Sequence, residues 1–267
     1  MSITVYPPVP TQPYDLTVAK GDIEGTIALF KYGFNPTVGG TEETIWFEGG
    51  NIPWPSTAVT TYVSSTDNTN DAPGGTGALT VEVQGLDASY NLLFGVATLN
   101  GQTQVEIVDK TTGGAITFLR VFRAFVTLSG TNGGAVGTIY IGPTGATAGV
   151  PSTVYANFGS SNQTLVAAYT VAAGKTLYLD DINFTGAVSQ ANEYVTVKFN
   201  VRLFGTNTWR TQFINVLQSN QLIAKLEYPT AIPEKADIEC RAEYSGGGAG
   251  SASIAASFEG ILVDNPA

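Results

Sequence analysis

"YVTVKFNVRLF", residues 194–204, decides the fold. Val195, Val197, Phe199, Val201 and Leu203 recur at every second position, with Thr196, Lys198, Asn200 and Arg202 between them. Successive side chains of a strand point to opposite faces, so this is one apolar face and one polar face: a strand half-buried in a sheet. A helix would place apolar residues three and four apart, and this stretch does not. The same period runs through "ALTVEVQ" (78–84), where Leu79, Val81 and Val83 share one side and Thr80 and Glu82 the other.

Runs of this kind fill the chain. "STAVTTYVSS" (56–65), "NLLFGVATLNG" (91–101), "TQVEIVD" (103–109), "AITFLRVFRAFVTLSG" (115–130) and "GTIYIGP" (137–143) are rich in Val, Ile, Thr, Tyr and Phe, the residues that strands favour. "PGG" (73–75), "NG" (100–101) and "NGG" (132–134) punctuate them as turns. One segment is ambiguous between helix and strand, "VLQSNQLIAKLE" (216–227). Strand runs spaced by roughly ten residues point to an all-β chain of antiparallel β-sandwich or jelly-roll type.

The 267 residues suffice for two such domains. "GPTGATAGVP" (142–151) is the richest Gly/Pro connection, and the expected division falls there. Residues 20–150 then form a first sandwich and residues 151–267 a second. Residues 1–19 carry Pro7, Pro8, Pro10 and Pro13, which remove amide donors and favour extended backbone. They read as an extended arm lying on a surface. A weak echo links "TVEVQGLDASYNLLFGVATLNGQ" (80–102) with "TVKFNVRLFGTNTWRTQFINVLQ" (196–218): each is a strand, a glycine-containing turn and a strand.

Composition narrows the function. Charged residues make up only 13% of the chain and the net charge is −10. Twelve Lys and Arg, with no basic run, argue against binding nucleic acid through its phosphates. A weakly charged surface suits lasting protein contact, because little charge has to be desolvated. No stretch approaches eighteen consecutive apolar residues, so no membrane-spanning helix is expected. The start "MSITVYPPVP" lacks the pattern of a secretory signal.

The chain has no histidine, which removes the usual general base and the usual metal ligand. Its one cysteine, Cys240 in "ADIECRAEYS", reads as a small buried residue. Catalytic residues and cofactors are therefore expected to be none. Two stretches leave a ligand open. "STDNTNDAPGG" (65–75) sets Asp67, Thr69 and Asp71 at alternate positions, an oxygen-rich loop of the kind calcium uses, although Asn and Asp also favour turns without metal. "LDDINF" (179–184) pairs Asp180 with Asp181, which reads as a turn or an edge.

"GTEETIWFEGGNIPWPST" (40–57) holds Trp46 and Trp54, two of the chain's three tryptophans, among Glu42, Glu43 and Glu48. A sugar cleft, a plug at the end of a sandwich and a contact surface are three readings of it. "ETIWFEGG" reads as a short strand and a glycine turn, with Ile45 and Phe47 on one face and Thr44 and Trp46 on the other. Pro53 and Pro55 hold Trp54 in an extended loop. Tyr6, Pro7, Pro8, Trp46, Trp54 and Trp209 are the residues expected to contact a partner or a second subunit.

Blocks of the chain resemble virion structural proteins of tailed phages, cyanophages in particular. They are "KYGFNPTVGGTEETIWFEGG" (31–50), "LNGQTQVEI" (99–107), "FLRVFRAFV" (118–126), "GTIYIG" (137–142) and "YTVAAGKTLYLDDINFTG" (169–186). The similarity runs from about residue 28 to about 215. It implies a non-enzymatic β-sandwich component of the particle and carries no catalytic motif. The expectation is a capsid decoration, or cement, protein: a homotrimer on the capsid surface bound to the major capsid protein, made in the host cytoplasm, with neither nucleic acid nor membrane as partner. The alternative is a tail-associated or head-fibre protein that attaches to host glycan.

Overall fold

In a computed structural model the described residues are 13–188, 192–218, 220–246 and 250–266. In chain order they form helix α1 (Tyr14–Ala19), β1 (Thr26–Val38), β2 (Glu43–Thr44), β3 (Val59–Thr60), β4 (Tyr62–Ser65), β5 (Ala78–Leu86) and β6 (Leu92–Thr98). Then come β7 (Val105–Glu106), β8 (Val108–Asp109), β9 (Thr117–Phe118), β10 (Arg120–Ser129), β11 (Ile139–Gly142) and β12 (Ala156–Phe158). The chain continues with β13 (Ala168–Thr170), β14 (Lys175–Ala187), β15 (Tyr194–Arg202), β16 (Trp209–Leu217), β17 (Gln221–Ile232), β18 (Asp237–Ser245) and β19 (Ala252–Asp264). The fold is all-β and every strand pairing is antiparallel.

Two pairs of sheets face each other. In the first, β1-β19-β14-β17 packs against β13-β18-β15-β16, with β2 added beside β18. Leu177, Phe184, Ile254 and Phe258 of one sheet meet Val197, Phe199, Ile238 and Cys240 of the other in a common core. The Phe199 and Phe258 rings meet edge to face at 5.5 Å. In the second, β10-β5-β6-β8 packs against β12-β11-β4-β7 around Val81, Val83, Leu99, Ile139, Ile141 and Phe158. The alternation in 194–204 does place Val195, Val197, Phe199 and Val201 inside. The two echoing segments are both hairpins, β5 with β6 and β15 with β16.

The division expected after residue 150 does not follow this pairing. β1 runs the length of β19, from Thr26 opposite Val263 to Val38 opposite Ala252. β2 pairs with β18. The strands of residues 26–44 therefore complete sheets made mostly by the last hundred or so residues, while β12 still belongs with β11. The smaller pair of sheets is inserted between β2 and β13. A Gly/Pro count cannot see a pairing between opposite ends of the chain.

Two local expectations are also corrected, and one ambiguity is resolved. Residues 14–19 are helical, not extended: Pro13 sets the corner at φ −52°, and its carbonyl accepts both the Thr17 amide at 3.2 Å and the Thr17 hydroxyl at 3.1 Å. The part of the arm holding Tyr6, Pro7 and Pro8 lies outside the described residues. Asp180 and Asp181 sit inside β14, at a register shift between Leu179 and Asp181, so a bulge and not a turn takes the paired carboxylates. The ambiguous run at 216–227 is the end of β16 and the start of β17.

The loop at 65–75 is organised by Asp71, which is fully buried. One carboxylate oxygen accepts the amides of Ala78 and Val136, and the other accepts the Ser65 hydroxyl and the Gly137 amide. Asp67 caps its own turn through the Thr69 and Asn70 amides. Protein donors hold both side chains.

Gly33 fixes the approach of β1 to the neighbouring segments. A Cβ there would overlap the Ala167 amide and the Ile45 carbonyl, which are hydrogen-bonded to each other at 3.0 Å. Gly33→Ala is expected to cost about 3 kcal/mol or more of stability in denaturant unfolding, because backbone has to move on both sides.

Candidate functional site

The stretch 40–57 wraps around β18. Glu43 and Thr44 pair with Ala242 and Arg241 as β2, Trp46 bridges to Val166, and the chain continues to Trp54 between its two prolines. Ile45 and Trp46 are both buried, so the alternation expected over 43–47 is lost after Thr44. The reason is that this segment is packed on both sides and not laid on one sheet.

The wrap leaves several polar groups on the outer side of β18 and β15 out of water. Asp237, Glu239 and Asn200 face away from the sandwich core, yet all are buried. Asp237 binds two arginines: Arg120 of β10 at 3.2 Å and Arg202 of β15 at 2.6 Å. It also accepts the Thr170 hydroxyl at 2.6 Å. Arg120 reaches further and donates to the carbonyls of Pro55 and Leu119. One carboxylate thus ties β10, β13, β15 and β18, and so joins the two pairs of sheets.

The tryptophans lie against this ion cluster. Trp54 and Trp209 meet at 5.4 Å between ring centres. The Arg120 guanidinium lies 5.2 Å from the Trp54 ring, and that of Arg202 lies 5.4 Å from Trp54 and 4.7 Å from Trp209. Trp46 is 2% exposed, packs with Ile52, Val166 and Ala168, and donates its indole N–H to the Gly50 carbonyl at 3.1 Å. Trp54 packs against that same cluster. Three tryptophans from two distant parts of the sequence therefore form one continuous group.

The acids of the stretch are separately engaged. Burial pushes the Glu42 carboxyl up, but Lys198 and Arg241 outweigh this and hold it below the usual range. Glu43 accepts the Gly39 and Gly50 amides. Glu48, raised by burial, accepts the Asn157 side-chain amide. Glu239 accepts the Thr44 hydroxyl at 3.1 Å and pairs with Arg241 at 2.7 Å; burial still raises its pKa. Cys240 is buried and its thiol is pushed up by burial and by Glu239. The space beside Trp54 and Arg120 is a cavity of about 20 Å³, which has room for about one water and none for a sugar ring. Among the described residues no group of three or more Asp, Glu or Cys is placed to hold a metal. No helix among them is long and apolar enough to cross a membrane.

The structure thus brings Trp46, Trp54 and Trp209 together and leaves Tyr6, Pro7 and Pro8 outside description. Sequence reasoning missed Arg120, Arg202, Asp237 and Thr170. The available signal was Arg120 itself, a charge inside the apolar run "TFLRVF" (117–122) of a chain with few charges.

No protein-family model matches the chain, and no curated protein matches it. Among solved structures, one of infectious bursal disease virus, Gx strain, aligns with 13% identity over 91% of this chain and 77% of that one, with a TM-score of 0.23. The VP2 subviral particle of infectious bursal disease virus aligns with 11% identity over 90% of this chain and 72% of that one, with a TM-score of 0.22. Likenesses at that level carry no argument about what this chain does.

Asp237→Ala is expected to cost about 3–5 kcal/mol in denaturant unfolding, since it strands the buried Arg120 guanidinium and removes the partner of the half-buried Arg202. Asp237→Asn, which keeps an acceptor, should cost less. Trp46→Ala should cost about 3–5 kcal/mol and Trp209→Ala clearly less, because only Trp46 is enclosed on all sides.

Proposed function

We propose that the chain is a non-enzymatic structural protein of a tailed-phage virion, and specifically a decoration protein of the capsid surface. One structural observation carries the proposal. Large apolar side chains stand in solvent on the edge strands of the larger pair of sheets: Phe30 (64% exposed) on β1, Ile214 on β16, and Ile223 and Tyr228 (77%) on β17. A monomer gains nothing from this arrangement, whereas an assembling protein covers such residues. Edge strands are also the natural place for a neighbouring copy to shield. The quoted blocks that resemble virion proteins support the same reading, as does the low charge.

In this reading the protein sits on the outer shell as a homotrimer and ties major capsid subunits together through many modest contacts. It has no catalytic role. The tryptophan group serves cohesion of the protein itself: Trp46 is buried, and Trp54 and Trp209 are half-buried against each other and the arginines.

Light scattering of the purified protein is expected to give about three times the chain mass, the value for a trimer closed by threefold symmetry. Replacing Phe30 and Ile223 by Ser should reduce it to one chain without lowering the unfolding midpoint much. Electron cryomicroscopy of intact particles should place the protein on the head, and density confined to the tail would overturn the decoration role. A glycan array is expected to show no binding.

A further inference from the structure

A cleft of about 430 Å³ runs beside β1, between Phe30–Tyr32 on one side and Gln84, Arg123 and Gln163 on the other. Lys31 lies on the inner side of β1, opposite Phe258 of β19, and is 8% exposed. Its Nζ donates to the Phe122 carbonyl at 2.6 Å and lies 5.4 Å from the Phe122 ring centre. An ammonium has three donors, and among the described residues Lys31 uses one of them. No carboxylate pairs with it among the described residues, and no acid lines the cleft.

That isolation is unusual in a chain with 22 acids and 12 bases. The second cation of the cleft, Arg123, lies over the Phe125 ring at 5.0 Å and has no carboxylate in direct contact among the described residues. Glu82, near enough to feel Arg123, already accepts Lys110 at 2.6 Å and Gln84 at 3.0 Å. Burying a cation without a counter-charge is costly. A purely structural side chain at position 31 would be cheaper as Met or Leu.

We propose that this cleft binds a carboxylate or another small oxyanion, with Lys31 and Arg123 as its counter-charges and Gln163 as a neutral donor. The anion supplies the charge that the protein itself withholds from Lys31. Recognition of this kind needs only a compact negative group, so a free small anion and an Asp or Glu side chain of a partner present the same chemistry.

The site is coupled to pH. Burial first, and Arg123 second, lower Lys31 from 10.5 to about 7. Below about pH 7 the amine is charged in the empty cleft; above it the amine is neutral. A bound anion favours the charged form, so binding takes up a proton and weakens as pH rises through 7. The other charged or titratable groups around it are Tyr32 on β1, Arg123 on β10, Tyr169 on β13, Glu82 on β5 and the exposed Glu259 on β19. Tyr169 is pushed up to about 12 by burial and stays neutral. Glu82 is raised by burial but held below its usual value by Lys110 and Gln84, and stays ionised.

The test is calorimetric titration of the full chain with acetate, phosphate and sulfate at constant ionic strength, at about pH 6 and about pH 9. Saturable binding is expected at the lower pH and at least about tenfold weaker binding at the higher one. Lys31→Met, checked for folding by circular dichroism, should lose the pH-dependent binding, and Arg123→Gln should weaken it. In parallel, the carbon signal next to the Lys31 amine should titrate near 7 without anion and higher with it. A short Asp-containing peptide that binds more tightly than acetate assigns the anion to a protein side chain; equal affinity assigns it to a free ion. Absence of saturable binding at the lower pH, equal binding by Lys31→Met, or a Lys31 titration near 10 in the empty protein overturns the proposal.

Discussion

The antiparallel pairing of β1 with β19 is the constraint on which the rest depends. It joins residues 26–38 to residues 252–264 and makes β19 an interior strand of its sheet. With β1 in place, the segment after it passes beside β18 and the wrap over the outer face of that sheet follows. Everything between β2 and β13 is then held at both ends and folds as an insertion. Such a contact spans nearly the whole chain, so its loop-closure cost falls late in folding and slow folding is expected.

The wrap decides what the charges do. A strand face that meets water needs nothing for its polar side chains, but a face covered by another segment must have each of them partnered. Asp237 answers this with two arginines and a threonine hydroxyl, and Glu239 with Thr44 and Arg241. The tryptophans enclose those pairs in apolar surface, which strengthens each interaction and raises the cost of breaking it. Arg120, Arg202 and Asp237 thus set three of the chain's few charges at the junction between its two pairs of sheets.

Much of the fold was legible because strand alternation is a local property. The run 194–204 and the hairpins at 80–102 and 196–218 could be read residue by residue. The site was legible only in its tryptophans. Trp46 and Trp54 stand out by rarity, but the partners that give them meaning, Arg120, Arg202 and Asp237, come from three other strands. Asp180 and Asp181 misled for a related reason: a bulge accepts two adjacent polar residues inside a strand, and the sequence of a bulge resembles that of a turn.

The sequence alone determined that this is an all-β protein with little charge, no histidine and a single cysteine, because composition and two-residue periodicity need no knowledge of distant neighbours. Only the tertiary structure decided which strands share a sheet and where the chain divides. It alone made a face buried that reads as solvated, and it alone left Lys31 without a carboxylate among the described residues. Each of these is set by contacts between residues far apart in the chain, and a local pattern contains no record of them.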